Sequence, residues 1–103
     1  MGEDGRILID AFLEHLGSER RYSPHTIKNY RRDLQQFLSF CHETGIPAWS
    51  AVTVHQVRAF VAKRHRQGLG ARSLSRELSA VRGFFRFLRR MGEVAGDPTA
   101  GVS

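Results

Sequence analysis

The residues of this chain best equipped for chemistry are cations at helical spacing. Arg72, Arg76, Ser79, Gly83, Arg86 and Arg90 recur at steps of three or four, with Ser75 and Arg82 at the flank. A helix gathers such positions onto one face. Small residues at 75, 79 and 83 are expected to let its backbone approach a groove while the arginines reach sideways to phosphates. A face turned only to solvent ordinarily mixes acids with its bases, and Glu77 is the sole acid between Arg58 and Arg90. Upstream, His25, Lys28, Asn29, Arg32, Gln36 and Ser39 form a second set at similar spacing. Donors and cations with few acids are the side chains that hold phosphate oxygens and read base edges. The competing reading of this second set is a plain solvated face.

Catalytic constellations are missing from the pattern. The histidines at 15, 25, 42, 55 and 65 and the single Cys41 have no metal-ligand spacing. Carboxylates are scarce where the bases cluster, which argues against paired acid–base work. Gly68-Leu69-Gly70 lacks the Lys-Ser/Thr of a phosphate loop. Tyr30 lies in an apolar register and Tyr22 just before a helix cap, so both read as packing residues. Trp49 reads as a lid on the core, and Cys41 as a core thiol. No catalytic residue, metal or cofactor is expected in this chain.

Charge is distributed unevenly. Residues 1–19 carry a net charge of −4, residues 20–90 carry +12, and the tail from 91 to 103 carries −2. The central excess suits a polyanion, although RNA, anionic lipid or an acidic protein would meet the same description.

Four helical segments must position these groups. The first is expected from about Arg6 to Ser18, with Leu8, Ile9, Phe12, Leu13 and Leu16 on one face. Ser23 as N-cap and Pro24 at the first helical position open the second, whose stripe is Ile27, Tyr30, Leu34, Phe37, Leu38 and Cys41. Gly45 and Pro47 end it. Thr53 to Gln56 reads as a capping box for a third helix, stopped at Gly68. The fourth runs from after Gly70 to about Met91 on a seam of Leu74, Leu78, Val81, Phe85 and Leu88. No strand alternation is seen, so the fold class is all-α, a four-helix domain. Residues 1–5 are expected to be a flexible terminus, 6–97 the domain, and 98–103 the start of a linker. A length of 103 residues suits one domain. No apolar run nears the roughly 20 residues of a membrane span, and no signal peptide is visible. With a lone cysteine, this points to a reducing cytoplasm.

Several segments together resemble a known family. Phe12 to Leu16, Tyr22 to Ile27 with Tyr30, Asp33 and Leu34, Gly68 to Leu74, Leu78 to Arg82, Phe84 to Leu88 and Asp97 to Val102 are similar to the amino-terminal domain of phage-integrase-type tyrosine recombinases, nearest to the bacterial Xer group. The resemblance implies a SAM-like core-binding domain whose second and fourth helices cross the major groove of a recombination half-site. Carried over by position, it implies DNA contacts from Thr26, Lys28, Asn29 and Arg32 and from Arg72, Ser73, Arg76 and Ser79, to which the helical projection adds Arg86. Thr26 and Ser73 rest on the resemblance alone. It further implies double-stranded DNA as partner and a second Xer-type recombinase in a tetrameric synapse, acting in chromosome dimer resolution at cell division. Neither a membrane nor a small-molecule ligand is implied. The family's catalytic tyrosine and phosphate-binding groups lie in another domain, so none is assigned here. Two alternatives stand beside this reading: the same domain of a phage or transposon integrase, and a helical protein-interaction adaptor with a basic face.

Overall fold

The computed structural model describes all residues from Met1 to Ser103. Its elements are α1 (Glu3–Ser18), α2 (Pro24–Glu43), a single 3-10 turn (Trp49–Ala51), α3 (Val54–Arg66) and α4 (Ala71–Arg90), with no strand. The class is all-α, as the spacing predicts. No helix is long and apolar enough to cross a membrane.

Local signals set most of the boundaries. The Ser23 hydroxyl accepts from the Thr26 backbone N–H, with Pro24 opening α2. At Thr53 both halves of the capping box are made, the Thr53 hydroxyl accepting from Gln56 N–H and the Gln56 side chain from Thr53 N–H. Gly45, with φ +74°, ends α2 by sending its own N–H to the His42 carbonyl and that of Ile46 to Cys41. That is the left-handed helix stop for which glycine is suited. The α1–α2 turn achieves the same reversal without glycine. Arg21 sits at φ +54°, and the next N–H, that of Tyr22, bonds the Leu16 carbonyl.

Both ends of the packed unit extend beyond the expected 6–97. Helix α1 begins at Glu3, not Arg6, because a distant contact holds its first turn. Trp49 donates its indole N–H to the Gly5 carbonyl at 3.2 Å, and Gly5 is buried. A Cβ at Gly5 would come within 2.7 Å of the Met1 sulfur and 2.9 Å of a Leu38 methyl, so a larger residue would have to push those side-chain ends aside. At the other end Thr99 and Val102 are buried, and Asp97 accepts from both the N–H and the hydroxyl of Thr99. Arg82 then donates to the Val102 carbonyl, fastening the tail to α4.

The core is aromatic. Phe37 meets Phe60 edge-on at 5.0 Å and stacks on Trp49 at 5.9 Å, while Trp49 meets Phe84 edge-on at 4.8 Å. Trp49 is therefore a buried member of the core, more enclosed than the lid expected from the sequence. Helix α4 buries more than its predicted seam, adding Ala80, Phe84 and Phe87 while Leu74 is only half-buried. The stripe is broad because α4 packs on α1, α2 and α3 at once. Gly83 faces Phe12 of α1, 3.5 Å from where its Cβ would be. That is ordinary van der Waals contact, so packing against α1 does not itself require glycine at this position.

Cys41 is fully buried, and burial pushes its thiol up to about 12. Such a thiol stays protonated and packs as a small apolar group.

Candidate nucleic-acid interface

Helices α2 and α4 lie against each other, and one ion pair locks their polar sides together. Arg76 of α4 donates through Nε and Nη2 to both carboxylate oxygens of Asp33 on α2, each at 3.1 Å. The Asp33 carboxylate is 2% exposed, whereas the Arg76 side chain remains 44% exposed. The carboxylate hydrogen bonds raise the guanidinium pKa above its already high value, so Arg76 is charged at every relevant pH. A guanidinium carries more donors than this fork uses, and those left can meet a partner outside.

Around this junction the expected contact residues divide by exposure. Lys28, Arg32, Arg72 and Arg86 are exposed and form no salt bridge, and Ser79 is exposed beside them. Thr26, Asn29 and Ser73 are half-buried. Thr26 also serves its helix cap, with its hydroxyl 3.0 Å from that of Ser23. Arg76, expected to be a free contact, is shared with Asp33. Ser79 and Arg86 belong partly to another place, a basic cleft of about 260 Å³ shared with Arg20, Tyr22, Arg82 and Arg90.

The one acid of the α4 sequence does not weaken the surface. Glu77 turns inward, 4% exposed, and accepts Nε and Nη2 of Arg64 from α3 at 2.9 Å each. Asp33 and Glu77 are therefore both withdrawn from the face they would otherwise neutralise. Sequence reasoning left Asp33 without a role because its partner lies 43 positions away. Arg20 and Tyr22 were missed for a related reason, since a loop joins them to the face and helical periodicity does not extend across it.

Tyr30 is half-buried, edge-on to Phe12 at 6.0 Å and 5.9 Å from the Tyr22 ring. Burial, then the neighbouring Tyr22, raises its hydroxyl pKa, which suits a packing residue better than a nucleophile.

Comparison with protein families matches residues 9–92 to the phage integrase, N-terminal SAM-like domain. The chain belongs to that family. Its curated relatives include proteins named tyrosine recombinase XerC from Pseudomonas syringae, 46% identical, from Azotobacter vinelandii, 48%, and from Pseudomonas aeruginosa, 47%. Each match runs over 95 residues, 92% of this chain. The chain spans about a third of those relatives, 31% to 32% of their length. In it, α2 and α4, the two helices named from the sequence, pack together, with Asp33 and Glu77 buried in ion pairs.

Proposed function

We propose that this chain is the DNA-binding module of a site-specific tyrosine recombinase of the XerC kind. Helices α2 and α4 cross the major groove of a recombination half-site. Thr26, Lys28, Asn29 and Arg32 contact it from α2, with Arg72, Ser73, Arg76, Ser79 and Arg86 from α4. The observation carrying this reading is the Arg76–Asp33 junction, which fixes two cationic helices side by side and removes the intervening carboxylate from the surface. Strand breaking and rejoining belongs, in this reading, to parts of the parent protein other than these residues. The parent works in the cytoplasm in a tetrameric synapse with a second Xer-type recombinase, in chromosome dimer resolution.

The test is a titration of the chain against a Xer-type half-site duplex and a scrambled duplex at several salt concentrations. Four to six phosphate contacts give a log–log salt slope of roughly −4 to −5. Tighter binding to the half-site with that slope, lost in Arg72→Glu with the helical spectrum intact, is the expected result. Equal binding to both duplexes puts specificity elsewhere in the parent. No binding at low salt, or unchanged binding by Arg72→Glu, overturns the reading in favour of a protein-interaction adaptor.

A further inference from the structure

We propose that the cleft between the C-terminal half of α4 and the α1–α2 loop is a phosphate-binding site, occupied by a backbone phosphodiester of the bound duplex. The duplex as source rests on the function proposed above; the affinity of the cleft for phosphate does not.

Arg20, Arg82, Arg86 and Arg90 line this cleft, and no carboxylate does. Cations drawn together without a counter-charge repel one another, and an anion between them relieves that repulsion. Two of the four are already placed. Arg20 donates to the Tyr22 hydroxyl at 3.2 Å with its guanidinium over the Tyr22 ring, and Arg82 is held by the Val102 carbonyl. Preplaced guanidinium donors lose little freedom when they meet a phosphate.

A second observation points the same way. His15 lines the cleft with its ring 5.3 Å from that of Phe87, and its Nε2 is the one buried side-chain polar atom without a hydrogen-bond partner. An orphaned buried polar atom is costly, and a turn of the His15 ring toward the cleft would let its N–H meet a phosphate oxygen. At about 260 Å³ the cleft falls below the roughly 300–1,000 Å³ of drug-sized ligand sites, which favours a single phosphate group. Position favours the duplex as its source. Arg86 and Arg90 continue the stripe of Arg72 and Arg76, and Arg86 lies ten residues, about 15 Å, along α4 from Arg76. A duplex seated on the first half of α4 would carry its backbone over the second.

The experiment uses the ¹⁵N-labelled chain and the double variant Arg20→Gln/Arg90→Gln, both positions exposed and neither among the proposed groove contacts. Inorganic phosphate is titrated against chloride at equal ionic strength while the His15 ring and Tyr22 amide signals are followed, and duplex binding is measured across salt. Saturable shifts with phosphate alone, absent in the variant, are expected. So is a salt slope shallower by about 1, with affinity about tenfold lower for half-site and scrambled duplex alike. Saturable phosphate shifts with an unchanged duplex slope overturn the backbone as source and leave a site for a free phosphate ester. Shifts that chloride reproduces, or none, overturn the site itself. If the wild-type chain binds neither duplex, the function proposed above fails, and the phosphate titration still decides the cleft.

Discussion

The α3–α4 and α2–α4 junctions are built on the same chemistry, an arginine fork on a buried carboxylate. They differ in what happens to the arginine. Arg64 is 16% exposed, so its pair with Glu77 is a closed tie between two helices. Arg76 is 44% exposed over a carboxylate that is 2% exposed, so its pair with Asp33 is closed on one side only. The lesson is that exposure of the cation, more than the ion pair itself, separates a fastening from a fastening that also presents charge to a partner. The half-open pair also explains how a cationic face can be rigid. Asp33 orients Arg76 without appearing on the surface.

The largest test of this contrast is Glu77→Ala. It strands Arg64 in a mostly closed site and is expected to cost about 3 kcal/mol, since breaking a buried pair leaves an uncompensated charge. Thermal melting should show a drop of more than about 10 °C, because each kcal/mol moves a domain of this size by roughly 4–8 °C. DNA affinity measured well below the melt should be unchanged.

Arg76→Ala should behave differently, costing about 2 kcal/mol of stability through the stranded Asp33 and also weakening half-site binding about tenfold or more. Combining Asp33→Asn with Arg76→Gln removes both charges. That pair is expected to recover most of the stability and none of the binding. Recovery of both would erase the distinction between the two junctions.

Those pairs mark where the sequence stops being readable. Helix starts at Ser23-Pro24 and Thr53 and the stop at Gly45 were legible because each is decided within a few residues. The partners of Asp33 and Glu77 were not, because they come from other helices. Nor was the helical first turn at Glu3, which depends on Trp49 reaching Gly5 from 44 positions away. Nor could spacing show that Gly83 lies beside Phe12 of α1, which only tertiary structure reveals. Of the candidate site, the cations that stand exposed on α2 and α4 could be read in advance. The cleft with Arg20 and Tyr22 could not.

Two smaller effects sharpen the comparison. Thr53→Ala removes the α3 cap and should cost about 1 kcal/mol. It loosens the element held by Arg64, so a double-mutant cycle with Glu77→Ala should be non-additive, while one with Arg76→Ala should add. The smallest effect concerns alkali. Both arginines are raised further by their carboxylate hydrogen bonds, so neither junction loses charge as pH climbs from 8 to 10. Cys41 does respond there. Its thiol ionises near 9.0 when ordinary and near 12 when folded, so between those values only the unfolded chain has shed the proton. Its contribution is complete below pH 9 and fades as pH rises, by just under about 1 kcal/mol at pH 9.5. Denaturant midpoints of Cys41→Ala should fall less steeply over that range than those of the wild type.

The placement of Trp49 has an optical consequence. It is the only tryptophan of the chain, buried against Phe37 and Phe84, and its indole N–H is bonded to the first turn of α1. Its emission is therefore an internal gauge of whether that turn is seated. Release of the turn alone would expose the indole edge and move the fluorescence to longer wavelength, while the far-ultraviolet signal of the remaining helices stayed nearly constant. Because Trp49 lies outside the basic cleft, the same gauge can be read with duplex present, reporting from within the protein whether binding is felt at the first turn of α1.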